Sequence, residues 1–280
     1  MTNLPPELTD YILDFLYDDK PSLADCSLVC RSWLSTSSRY LFSDLRLGHR
    51  ELGPDVPFDW FERFLIDIQA SPRIRRHVQS ITFHSHSSDA RLGCSLRVLQ
   101  HIIASFSQLE SLEMSYLNIS SDVSPYALSL PPITTQLRLR TIVIRNVLDF
   151  ITYRGMVTEA GTVESTGLAE FLDVFQEVGE LSMDNAALPF IFPFTWPLLE
   201  AIPIAIPIRR RVHIEEIHLT GYQAARMLGV LGSATEPTAL KGLSVELSPR
   251  ILPLVNWFMG GRTNVESLYF SFRRGFPGSA

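Results

Sequence analysis

One spacing recurs from residue 42 to residue 270: an apolar residue, two others, an apolar residue, one other, an apolar residue. It stands at Phe42/Leu45/Leu47, Val78/Ile81/Phe83, Leu109/Leu112/Met114, Leu139/Ile142/Ile144 and Val178/Leu181/Met183. It returns at Ile214/Ile217/Leu219, Leu240/Leu243/Val245 and Val265/Leu268/Phe270. The last two apolar positions of each set alternate with other residues, as a strand with one buried face requires. Stripes at three- and four-residue spacing lie between the strands, over 58–70, 96–106, 168–178, 222–231 and 251–259. These predict amphipathic helices. A strand–helix unit cannot bury its own apolar face, so successive units must stack.

The middle apolar positions from the second set onward are 81, 112, 142, 181, 217, 243 and 268, giving gaps of 31, 30, 39, 36, 26 and 25 residues. The pattern resembles leucine-rich repeats, whose units are shorter and more even. The Asn or Cys usual three residues after the last leucine of such a unit is absent, as His86, Leu117 and Val147 show. The resemblance therefore implies a curved but irregular solenoid with inserted loops, over residues 78–280. Residues 275–280 offer no polar capping helix, which a terminal repeat needs. The expectation is a bare end or an incomplete gene product.

The amino-terminal part differs in kind. Leu4-Pro5-Pro6-Glu7-Leu8 is a helix start, because proline suits the first turn and Glu7 favours the positive end of the dipole. Leu8, Tyr11, Ile12, Phe15 and Leu16 then form one apolar stripe, with Asp10, Asp14, Asp18 and Asp19 off it. Lys20-Pro21-Ser22 breaks this helix and starts a second, with Leu23, Ala24, Leu28 and Val29 as its apolar face. A third short helix holds Trp33, Leu34, Tyr40, Leu41 and Phe42. A unit of about 45 residues is marginal alone. It must bury these side chains against a partner, against the rest of the chain, or both.

The order Leu4-Pro5-Pro6-Glu7-Leu8, Tyr11-Ile12-Leu13, Leu23-Ala24-Asp25-Cys26-Ser27-Leu28-Val29-Cys30-Arg31-Ser32-Trp33 resembles the F-box family over residues 4–47. The resemblance implies a three-helix module (1–47) that packs on a Skp-type adaptor, which bridges to cullin and RING subunits. Carried over position by position, it implies adaptor contacts at Leu4, Pro5, Leu8, Ile12, Leu16, Leu28, Val29, Cys30 and Trp33. Glu7 stays a helix-start carboxylate rather than a catalytic one. Residues 48–77 are expected to be a connecting helix and loop. The fold class expected is thus α+β/α/β, a three-helix F-box followed by a strand–helix repeat. The implied function is the substrate-recognition subunit of a Skp–cullin–F-box E3 ubiquitin ligase. Its alternative is a Skp-binding scaffold acting without a cullin.

Composition narrows the rest. Lys+Arg 24 against Asp+Glu 30 leaves a net charge of -6. Phosphate neutralisation supplies most non-specific nucleic-acid affinity, so no nucleic-acid partner is expected. The short basic runs, Arg73/Arg75/Arg76/His77 and Arg209/Arg210/Arg211, lack interleaved aromatics and are read as flanks of strand starts. Three cysteines, Cys26, Cys30 and Cys94, argue for a reducing compartment. The first residues lack the basic and apolar regions of a secretory signal. Asn118-Ile119-Ser120 is read as a chance match to a glycosylation acceptor. The expected location is cytoplasmic and/or nuclear. The stretch 186–208 is long and apolar enough to span a bilayer and holds only one charge, Glu200. Prolines 189, 193, 197, 203 and 207 break it, so it is read as an apolar loop rather than a membrane span.

Chemical signatures are sparse. No phosphate-binding glycine loop and no Gly-x-Ser-x-Gly elbow occurs. Cys26 and Cys30 share a helix face without a histidine nearby, and His84, His86 and Asp89 lack a further placed ligand. The expectation is a non-catalytic receptor with no cofactor and no metal. An unknown protein substrate would meet the strand residues that alternate with the buried ones. Of these, Glu113, Arg145, Glu180, Asp184, Glu216, Glu246 and Tyr269 are the candidate contacts. Five carboxylates against one arginine predict a basic substrate segment rather than a phosphorylated one.

Overall fold

A computed structural model describes residues 5–48, 60–85, 92–120, 129–147, 153–154, 165–184, 210–221, 224–247, 252–260, 262 and 264–272. The chain opens with helices α1 (Pro6–Asp14), α2 (Lys20–Val29) and α3 (Arg31–Ser43). Pro6 lies in the first turn of α1, and Asp19 caps α2 by accepting from the Ser22 N–H at 3.1 Å. The Thr36 hydroxyl donates to Asp10 at 2.7 Å, and the Tyr40 hydroxyl donates to Asp14. Both hydrogen bonds tie α1 to α3.

Strand β1 (Asp44–Gly48) leaves α3 directly and starts a sheet. The strands that follow in it are β2 (Ser80–His84), β4 (Ser111–Ser115), β6 (Leu137–Arg145), β9 (Phe175–Asp184), β10 (His213–Thr220), β11 (Gly242–Leu247) and β12 (Ser267–Phe272). The order in space is the order in sequence, and every pairing is parallel. Helices α4 (Trp60–Ala70), α5 (Pro72–Arg75), α6 (Leu96–Ala104), α7 (Gly167–Leu172), α8 (Ala224–Ala234) and α9 (Leu252–Met259) stand between strands. Two short pairings lie outside the main sheet: β3 (Leu92–Ser95) with β5 (Leu117–Ser120), and β7 (Tyr153–Arg154) with β8 (Ser165–Thr166). The sequence pattern carries neither.

The register follows the spacing. Leu45 pairs with Ile81, Ile81 with Leu112, Leu112 with Ile142 and Ile142 with Leu181. Leu181 pairs with Ile217, Ile217 with Leu243 and Leu243 with Leu268. From Ile81 to Leu243 these residues are buried, and they meet Phe61 and Leu65 of α4, Leu99 and Ile102 of α6, Phe171 of α7, Leu228 of α8 and Phe258 of α9 in one core. Leu268 is 48% exposed, because β12 has one strand neighbour among the described residues.

The two-residue gap has a physical reason in several units. The N–H groups of Glu110 and Ser111 both donate to the Gln79 carbonyl. Those of Arg140 and Thr141 donate to Glu110, and those of Glu266 and Ser267 to Lys241. At these three strand starts, β4, β6 and β12, two N–H groups meet one carbonyl of the neighbouring strand, a bulge-like step just ahead of the next buried apolar side chain. The step stacks from unit to unit, and its exposed side chains pair along the row, as Lys241 and Glu215 do at 2.6 Å. Gly179 stands at the matching position of β9, where a Cβ would lie 2.7 Å from the Arg140 carbonyl oxygen.

One sequence expectation needs correcting. The stripe over 168–178 is not one helix: α7 ends at Leu172 and β9 begins at Phe175. Phe175 and Val178 are buried as strand residues, and β9 pairs with β6 from Leu137 onward. Long-range pairing with a nine-residue strand outweighs the local helical spacing there. Residues 186–208 and the His86 and Asp89 positions lie outside the described residues. Among the described residues, no helix is long and apolar enough to cross a membrane, and no group of three or more His, Cys, Asp or Glu is placed to hold a metal.

Candidate functional site

A nine-residue helix can bury one stripe, and α1 buries the other one. Thr9 and Leu13 point inward. Leu8, Ile12 and Phe15, at the predicted apolar spacing, remain 49%, 40% and 71% exposed. Tyr11 is exposed too and meets the Phe15 ring edge-on at 4.9 Å. In α2 only Leu23 is buried, while Leu28 is 84% and Val29 64% exposed. The apolar residues of the amino-terminal module are thus split. One set packs within it, and a larger set faces solvent. Exposed apolar side chains clustered on one helix, as Leu8, Tyr11, Ile12 and Phe15 are on α1, mark an interaction site.

The candidate adaptor contacts fall into two groups on different helices. Leu8 and Ile12 are exposed on α1, with Leu16 half-buried just beyond it and Pro5 exposed at its start. Leu28, Val29 and Cys30 form the α2–α3 corner, with Trp33 half-buried one turn into α3. Leu4 lies outside the described residues. Tyr11, Phe15, Tyr17 and Leu34 are exposed in the same module and were not among the candidates. The three- and four-residue spacing already placed Tyr11 and Phe15 with Leu8 and Ile12.

Cys30 is the corner itself: its backbone is extended and precedes α3. Its Sγ lies 3.0 Å from the Ser32 hydroxyl. That hydroxyl, helped by the Trp33 and Ser32 N–H groups, holds the Cys30 thiol below its ordinary pKa. Burial pushes the Cys94 thiol well above its own. Iodoacetamide at neutral pH is therefore expected to label Cys30 first and Cys94 only on unfolding, read by peptide mass spectrometry. Ser32→Ala is expected to slow Cys30 labelling. Equal rates at Cys30 and Cys94 in the folded chain would contradict this assignment.

The candidate substrate residues all lie on described strands, on the sheet face away from the helices. Arg145 pairs with Glu113. The Thr220 hydroxyl donates to Asp184 at 2.7 Å, and the Gly221 N–H donates to Glu246 at 2.8 Å. Glu180 and Glu216 are register partners on β9 and β10. His218 stands beside them, its Nε2 3.9 Å from Glu180 and 3.6 Å from Glu216. Tyr269 is exposed on β12, away from this group. The structure thus brings Glu113 to Arg145 and Glu180 to Glu216, and leaves Tyr269 apart. His218 belongs to the same face and was not among the candidates. Its place is legible only once the β9–β10 register is known.

Residues 1–47 match the F-box-like family. No curated protein matches the chain.

Proposed function

We propose that this chain is the substrate-recognition subunit of a Skp–cullin–F-box ubiquitin ligase. The observation that carries the proposal is the solvent-facing set Leu8, Ile12, Phe15, Leu28 and Val29 within the F-box-like span. A Skp-type adaptor covering these residues would form an interface of about 1,600 Å² or more in total. In this reading the chain does no bond chemistry. It raises the effective concentration of a protein substrate near the charged ubiquitin-conjugating enzyme, in the cytoplasm or nucleus. The strand–helix region then serves as a curved solenoid of leucine-rich-repeat type that holds the substrate.

The open sheet face supplies the capture surface. Glu180 and Glu216 stand side by side there, and Arg145 is already paired with Glu113. A row of carboxylates steers a basic segment toward the sheet. Affinity purification with the proteasome blocked, followed by mass spectrometry, is expected to recover adaptor, cullin and substrate together. The double variant Glu180→Lys/Glu216→Lys is expected to recover the adaptor in full and the substrate weakly. Substrate recovery unchanged by the reversal, or dependent on a phosphate in the substrate, would contradict the capture surface. Adaptor without cullin would favour the scaffold role instead.

A further inference from the structure

We propose that the cavity where α3, α5 and the α6–β4 turn meet is a binding site for a phosphate monoester. The cavity measures about 310 Å³ and is lined by Arg39, Arg76, His77, Gln79, Ser107 and Gln108. This volume is at the lower end of the range of about 300–1,000 Å³ typical of ligand sites. The lining comes from three separated pieces of chain, so local sequence alone does not assemble it. Arg39 lies on α3, Arg76 and His77 follow α5, and Ser107 and Gln108 follow α6. Backbone bonds hold the pieces together. The Gln79 N–H donates to Ser43 at the end of α3 at 2.9 Å, and the Gln79 carbonyl accepts from Glu110 and Ser111 ahead of β4 at 2.8 and 3.0 Å.

Every lining side chain has a hydrogen-bond donor, and none is a carboxylate. Neither Arg39 nor Arg76 has an acidic ion-pair partner among the described residues, in a chain whose net charge is -6. The nearest carboxylate along the chain, Glu110, belongs to the stacked row beside the cavity and does not line it. Arg75 adds positive charge next door, with its Nε buried and unpartnered. Two guanidinium forks match the two charges and several acceptor oxygens of a phosphate monoester dianion, and the His77, Gln and Ser donors complete the set. A single carboxylate would leave one arginine unpaired. The monoester can come from a phosphorylated protein side chain or from a small phosphorylated molecule. The site lies at the opposite end of the strands from the Asp184–Thr220 pair, and it stands independently of the ligase reading.

The test uses the full chain at constant ionic strength. Inorganic phosphate, glycerol phosphate, and a phosphoserine peptide with its serine counterpart are each titrated, with the melting temperature as readout. Phosphate is expected to raise the melting temperature saturably, and Arg39→Gln/Arg76→Gln is expected to weaken binding at least about tenfold. Arg73→Gln, which removes a neighbouring charge outside the cavity, is expected to leave it unchanged. Arg39→Lys/Arg76→Lys, which keeps charge and loses the fork, is expected to bind between the two and guards against a double variant that fails to fold. Tighter binding of the phosphopeptide or of glycerol phosphate identifies the source of the monoester. No saturable shift, or a shift equal in wild type and Arg39→Lys/Arg76→Lys and also lost in Arg73→Gln, means an adventitious ion only and overturns the proposal.

Discussion

A chain carrying Leu8→Ala and Ile12→Ala is expected to lose its Skp-type adaptor in pull-downs while keeping its circular dichroism and melting temperature. Both side chains face solvent in the free chain, so their removal leaves no cavity behind. In the complex they would be buried anchors, and truncating such an anchor costs ~2 kcal/mol or more. If the two losses add, affinity falls by about a thousandfold. Leu28→Ala, at the separate α2–α3 corner, is expected to weaken binding on its own. The corner side chain is almost free of intramolecular contact, as its 84% exposure shows. Adaptor recovery undiminished in both variants would remove the basis for an F-box role.

The second large effect is on folding. Leu181→Ala is expected to destabilise the chain by about 2–5 kcal/mol, because Leu181 is fully buried at the centre of the sheet between Ile142 and Ile217. That is a large part of the total stability of a typical domain. Leu268→Ala removes the same atoms at the same register position of β12. There the side chain is half exposed, and the expected cost is about 1 kcal/mol or less. Urea denaturation of the two variants reads the contrast directly. Equal losses would mean that Leu268 is covered in the folded chain as Leu181 is.

The contrast marks what was legible. The apolar spacing carried the strand register from Leu45 to Leu268, because a parallel sheet covered on one face repeats its buried positions at every strand. It did not carry the boundary between α7 and β9, where 168–178 satisfies a helical spacing and the pairing with β6 decides otherwise. Nor did it carry β3–β5 or β7–β8, which are too short to leave a pattern. In the module, periodicity located the stripe Leu8, Tyr11, Ile12 and Phe15 without its direction. A stripe looks the same in sequence whether it faces the core or a partner, and only packing through Thr9 and Leu13 turns it outward. The basic run Arg73–His77 read as a strand flank, because Arg39 joins it from 34 residues away in the sequence.

In the proposed function, the solvent-facing apolar set of the F-box-like module joins the chain to a cullin through an adaptor. The direct measurement mixes the purified chain with a purified Skp-type adaptor and a cullin amino-terminal region, followed by size-exclusion chromatography with multi-angle light scattering. One peak holding all three proteins in equal amounts is expected, and its loss with Leu8→Ala/Ile12→Ala. A chain that elutes alone while adaptor and cullin run together would contradict it.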